Sequence, residues 1–105
     1  MPIIRANTRI VTQINVFTVP AGGQQALIDY LAKAAQVAKE VDGWISASLH
    51  RSVDGTRVVN YAQSRDESSA QRVIEHLKAK KLIDGNKEYG ASHPGLYEVV
   101  FTLER

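Results

Sequence analysis

The segment from Gly43 to Ser64, GWISASLHRSVDGTRVVNYAQS, constrains this chain more than any other. Asp54-Gly55 stands between two alternating apolar runs. That pattern signals a β-hairpin, because both central residues of a type I′ turn need positive φ. A two-residue loop pairs Val53 with Thr56 and, counting back, Leu49 with Asn60, Ser48 with Tyr61 and Ala47 with Ala62. Directly opposed residues share a face. One face then carries Ile45, Ala47, Leu49, Val58, Asn60, Ala62 and Ser64. It is apolar and small-sided with one amide, which suits a surface beneath a helix with room for a ligand. Trp44, Ser46, Ser48, His50, Val59, Tyr61 and Gln63 form the other face, whose mixed character suits a subunit contact or solvent.

The rest of the chain arranges itself around this hairpin. Residues 1–9 read as a loosely held, extended lead-in. Ile10 to Val19 is β-branched and alternating, and reads as a strand stopped by Pro20-Ala21-Gly22-Gly23. Gln24 to Val41 places Leu27, Tyr30, Leu31, Ala34, Val37, Ala38 and Val41 at helical spacing, with Asp42-Gly43 as its stop. Asp66 to about Leu82 is a second helix burying Ala70, Val73, Ile74 and Leu77. Either Ser64, in a capping box with Glu67, or Asp66 caps it. Lys78 to Lys81 reads as a solvated helix end. Ile83 to Pro94 reads as a loop long enough to serve as a lid, and Leu96 to Leu103 as the last strand.

This β-α-β-β-α-β order predicts an α+β, ferredoxin-like fold with an antiparallel sheet and both helices on one face. Yet the outer strands are apolar in both phases: Ile10, Ile14 and Val16 alternate with Val11, Phe17 and Val19. A sheet apolar on both faces needs a second cover, and another copy of the chain is the economical one. Residues 1–105 are expected to form a single domain. The chain has no cysteine, which excludes disulfides and thiolate chemistry. Its net charge of +2 gives no argument for nucleic acid or an anionic membrane. The first residues hold no long apolar run, so the expectation is no leader, no membrane span and a cytoplasmic location.

The run Val58-Val59-Asn60-Tyr61-Ala62-Gln63 resembles the antibiotic biosynthesis monooxygenase family. So do Ile14-Asn15-Val16-Phe17 with Pro20, Gly43-Trp44-Ile45-Ser46-Ala47, the hairpin at His50-Arg51-Ser52 and Asp54-Gly55-Thr56, and Leu96-Tyr97-Glu98-Val99. The resemblance covers most of the chain. It implies a homodimer joined into an α+β barrel, with a pocket between sheet and helices. It also implies oxidation of a small phenolic, polyketide-like aromatic by O2 without metal, flavin or haem. By the same resemblance Asn60 is associated with substrate activation. Two positions where relatives carry aromatic groups hold Ser64 and Ala70 here, and the haem-degrading branch's Trp position holds Val73.

The candidate catalytic residues are therefore Asn60, which can both donate and accept, and His93, a possible general base in the loop before Pro94. Asn15, Asn60, Ala62, Ser64, Ala70 and Val73 are the candidate substrate-binding positions. Asn60 has a structural alternative as a buried amide satisfying nearby backbone, Ser64 as a helix cap with Glu67, and Ala70 and Val73 lie on the buried stripe of the second helix. His50, His76 and His93 lie on separate elements with no metal-ligand spacing, and no cofactor or metal site is expected. Two functions stay open at this point: a cofactor-independent monooxygenase, and a non-catalytic small-molecule-binding dimer of the same fold.

Overall fold

The computed structural model describes residues 1–82 and 89–105. Six elements follow one another: β1 (Val11–Thr18), α1 (Gln24–Ala38), β2 (Trp44–Arg51), β3 (Arg57–Ser64), α2 (Glu67–Ala79) and β4 (Ala91–Tyr97). The strands form one antiparallel sheet in the order β2-β3-β1-β4. The fold is α+β and ferredoxin-like, as the element order predicts. The part of the expected loop spanning residues 83–88 lies outside the described residues.

Strand pairing fixes the two faces of the sheet. Phe17 lies opposite Val58, Asn15 opposite Asn60 and Gln13 opposite Ala62. Phe17 and Val58 are fully buried and pack with Val19, Leu27 and Leu31. This side faces α1, whose buried residues Leu27, Leu31, Ala34 and Ala38 recur at helical spacing. Beyond Ala38 the chain tightens rather than continuing the helix to Val41: Glu40 N–H donates to Val37 and Val41 N–H to Ala38, each three residues back.

The hairpin register is as expected from Leu49–Asn60 to Ala47–Ala62, but the turn is not. Gly55 has φ +82° while Asp54 is absent from the positive-φ residues, so the turn is not type I′. Gly55 N–H instead donates to Ser52 C=O, and Ser52 N–H to Arg57 C=O, which makes a longer loop. Side chains decide this. Asp54 accepts from the Thr56 hydroxyl (2.7 Å), from Thr56 N–H (3.0 Å) and from the Ser52 hydroxyl (2.9 Å). These bonds, the Thr56 hydroxyl foremost, push the Asp54 carboxyl down to about 2. A depressed carboxylate contributes stability above its unfolded pKa and loses it as pH falls through the folded value. Thermal unfolding between pH 4 and pH 2 is therefore expected to fall more steeply in the parent than in Asp54→Asn. Parallel curves would mean that the loop bonds do not couple to folding.

A β-bulge re-aims the start of β2. Trp44 pairs with Ser64, but Ser46 pairs with Gln63, leaving Ile45 unpaired between them. The hairpin reading carried one register through to Trp44 and put its indole on the outer face. The bulge turns Trp44 to the helix side and leaves Ile45 44% exposed.

Asp66, not Ser64, caps α2: its Oδ1 accepts from Ser69 N–H at 2.8 Å. Ser69, Ala70 and Val73 are buried beneath the helix. Ile74 and Leu77, expected in the core, are only half-buried, because this end of α2 stands over a cavity rather than over packed side chains.

The last strand is shifted. It runs Ala91–Tyr97 rather than Leu96 to Leu103, and pairs with β1 from Thr18–Ala91 to Thr12–Tyr97. Pairing, not β-propensity, sets its limits, since β1 offers partners only from Val11 to Thr18. Pro94 is tolerated because β4 is an edge strand. The β-branched run after it has no neighbour in the sheet, and Val100, Phe101 and Leu103 are exposed at 77%, 74% and 84%. The lead-in is tied down at two points: Gln63 Nε2 donates to Ile3 C=O and Asn7 N–H to Val99 C=O.

Candidate active site

A cavity of about 280 Å³ lies between the sheet and the two helices. Its floor is Gln13, Asn15 and Phe17 of β1, Asn60 of β3, and Ser92 and Pro94 of β4. Leu31 and Ala34 of α1 and Ile74, Leu77 and Lys78 of α2 form its roof, with Leu82 beyond the helix end. Alternation explains the floor. Gln13, Asn15 and Phe17 are every second residue of β1, and their partners across both neighbouring strands share their side. The walls are mostly apolar, and the few polar groups are three amides, the Ser92 hydroxyl and the Lys78 ammonium, the composition expected of a small-molecule site.

Asn60 is the site's chemical focus. Its Oδ1 is buried and has no hydrogen-bond partner among the described residues. Leaving a buried amide oxygen unpaired costs about 1–3 kcal/mol, so such groups are rare unless a ligand satisfies them. Directly across the strand pair, Asn15 Oδ1 accepts from His93 N–H at 3.0 Å, tying the amide to β4.

The expected positions divide. Asn15 and Asn60 line the cavity. Ala62 and Val73 line a smaller chamber of about 30 Å³ that adjoins it. Ser64 and Ala70 are buried and line neither space among the described residues. His93 is corrected: it lies on β4 opposite Val16, which faces away from the helices, and is exposed on the far side of the sheet from Asn60. It cannot reach a molecule in the cavity as a general base. His50 is on that outer face too, edge-on to Tyr61, as expected. His76 pairs with Glu40 at 3.1 Å. Among the described residues no cluster of three His, Asp or Glu could hold a metal. The sequence reading missed Gln13, Ser92, Pro94, Trp44 and Lys78. Gln13 was detectable, as a polar residue two positions before Asn15 on the same strand face. Ser92 and Pro94 were hidden by the shifted last strand.

Residues 10–81 match the family model described as antibiotic biosynthesis monooxygenase. The chain is 38% identical over 104 residues to tetracenomycin-F1 monooxygenase of Streptomyces glaucescens, covering 98% of this chain and 93% of that protein. Among solved structures, SnoaB of Streptomyces nogalater, a cofactor-independent oxygenase, superposes with a TM-score of 0.81 at 22% identity, covering 93% of this chain and all of that one. A Streptomyces coelicolor monooxygenase in complex with nanaomycin D superposes with a TM-score of 0.79 at 24% identity, covering 90% and 91%. The strand pairing, the amide-floored cavity and these matches together place the chain in the antibiotic biosynthesis monooxygenase family.

Proposed function

We propose that this protein is a cofactor-independent monooxygenase that oxidises a flat phenolic, polyketide-like molecule with O2. The observation that carries the reading is Asn60, a lining residue of an apolar cavity whose buried Oδ1 has no partner among the described residues. The 38% identity to tetracenomycin-F1 monooxygenase supports the substrate class.

In this reaction the substrate is its own reductant. Its phenolate, drawn as a carbanion at the reacting ring carbon, passes one electron to O2. The radical and superoxide combine to a peroxide at that carbon, which takes up a proton. Loss of the remaining C–H proton and cleavage of O–O leave a carbonyl and water, so a CH2 group and O2 become C=O and H2O. The protein's part is positional and electrostatic. Asn60 holds the phenol oxygen through its amide, and Asn15, fixed by its bond from His93 N–H, supports the same floor. Leu31, Ile74 and Leu77 exclude water from the peroxide. Lys78 is exposed and is the only charged side chain in the lining among the described residues; its positive charge favours entry of an anionic phenolate.

We further propose that the working unit is a homodimer. Ile14, Val16, Val59 and Tyr61 are only half-buried on the outer sheet face, and Phe101 and Leu103 are exposed with no strand partner among the described residues. Light scattering behind a sizing column is expected to give twice the 11.6 kDa chain mass. A monomer at micromolar concentration would remove this proposal.

The activity is tested with an oxygen electrode on hydroxylated anthrones and naphthols. The expected result is uptake above the spontaneous rate, with one O2 consumed per quinone formed. Tight binding with no uptake would favour the alternative, a binding protein that carries the same molecules unchanged.

A further inference from the structure

An aromatic side chain stands in the wall of a second space that adjoins the cavity. Past Asn60 lies the smaller chamber of about 30 Å³, too small for an aromatic ring. Gln13, Leu31, Ala34, Asn60 and Leu77 line both spaces, so Asn60 stands at the neck between them. The chamber is walled by methyl groups, among them Ala35, Ala38, Ala47 and Ala62, by the larger Leu31, Val73 and Leu77, and by one aromatic group, the Trp44 indole. Trp44 reaches it only because the bulge at Ile45 reverses its side. Without the bulge the indole would lie on the outer face and the chamber would be open.

We infer that Trp44 is a specificity-determining residue: the end wall that fixes how many fused rings fit between Asn60 and the inner end. The inference rests on reading this cavity as the substrate site. A ring system that places its phenol oxygen at Asn60 can extend past the exposed Lys78 but not past Trp44. Shortening the indole deepens the chamber behind Asn60, and the neighbouring alanines are too short to refill the space. A ring system that reaches past Asn60 then has room for one more ring.

Equilibrium binding of hydroxylated naphthoquinone and hydroxylated tetracenequinone, followed through the quinone absorbance, tests this without turnover. In Trp44→Ala the ratio of the two dissociation constants is expected to move about tenfold or more toward the longer probe. Trp44→Leu keeps an apolar side chain on the strand and is expected to move the ratio in the same direction should the alanine variant fold poorly. An unchanged ratio in the folded variant overturns the end-wall assignment alone. Failure of both probes to bind the parent overturns it together with the site reading. A shifted ratio in a protein that consumes no O2 supports the end wall and contradicts only the monooxygenase.

Discussion

Asn60→Ala is expected to fold, to bind flat phenols and to lose about 10²–10³-fold in turnover, the range seen when one oriented donor to a developing oxyanion is removed. The loss should fall on kcat more than on KM, because the amide is proposed to act on charge that develops during the reaction. Stability should move the other way. The parent holds a buried Oδ1 without a partner, at a cost of about 1–3 kcal/mol, and alanine removes that cost. Asn60→Ala should therefore unfold in urea no earlier than the parent, despite the small void it leaves. A site residue that lowers stability while supporting turnover is the pattern expected of groups kept for function. If the variant loses stability and keeps its turnover, Asn60 is a structural amide.

Gly43→Ala is expected to be the most damaging single-methyl change. Gly43 has φ +95°, and a Cβ there would overlap Ser69 Oγ and lie 2.6 Å from Ser69 Cβ. Ser69 is fully buried and cannot withdraw, because its backbone N–H is held by the Asp66 cap. Gly43 C=O also accepts from Arg65 N–H at 2.7 Å, which locks the entry to β2 against the exit from β3. The backbone strain costs about 1–3 kcal/mol and the overlap a similar amount, a large share of the ~5–15 kcal/mol that holds a domain of this size. Urea unfolding should show a midpoint far below the parent's. Adding Ser69→Gly should recover the overlap part but not the strain. A midpoint unchanged in Gly43→Ala would mean that the two helix ends are not packed this closely.

Much of the fold was legible because local signals agreed with one another. The alternation of β1, the apolar spacing of α1 and the hairpin pairing of Leu49 with Asn60 all pointed one way. The departures share a cause: something outside the local pattern decided. The Asp54 carboxylate drew Thr56 and Ser52 into a longer loop than Asp-Gly alone would make. The bulge at Ile45 leaves no mark in the alternation of Trp44-Ile45-Ser46-Ala47, yet it moves the one tryptophan into the pocket. The strongest β-former run near the end, Val99-Val100-Phe101, lost the edge of the sheet to Ala91–Tyr97, because β1 had no free length left to pair with it. That shift carried His93 out of a loop and onto the face opposite the cavity. Asn60 was legible because a polar residue on an otherwise apolar face needs an explanation. Its missing partner was not, since that depends on every neighbour.

The most direct test of the central claim is the fate of isotopically heavy O2. Protein freed of metal and flavin by chelation and gel filtration is supplied with a hydroxylated anthrone under heavy O2, and the quinone is analysed by mass spectrometry against an enzyme-free control. The expected product carries one heavy oxygen atom at the new carbonyl, with the second released as water, at a rate above the control. A quinone whose new oxygen comes from solvent, or a rate no greater than the control, would contradict monooxygenation at Asn60.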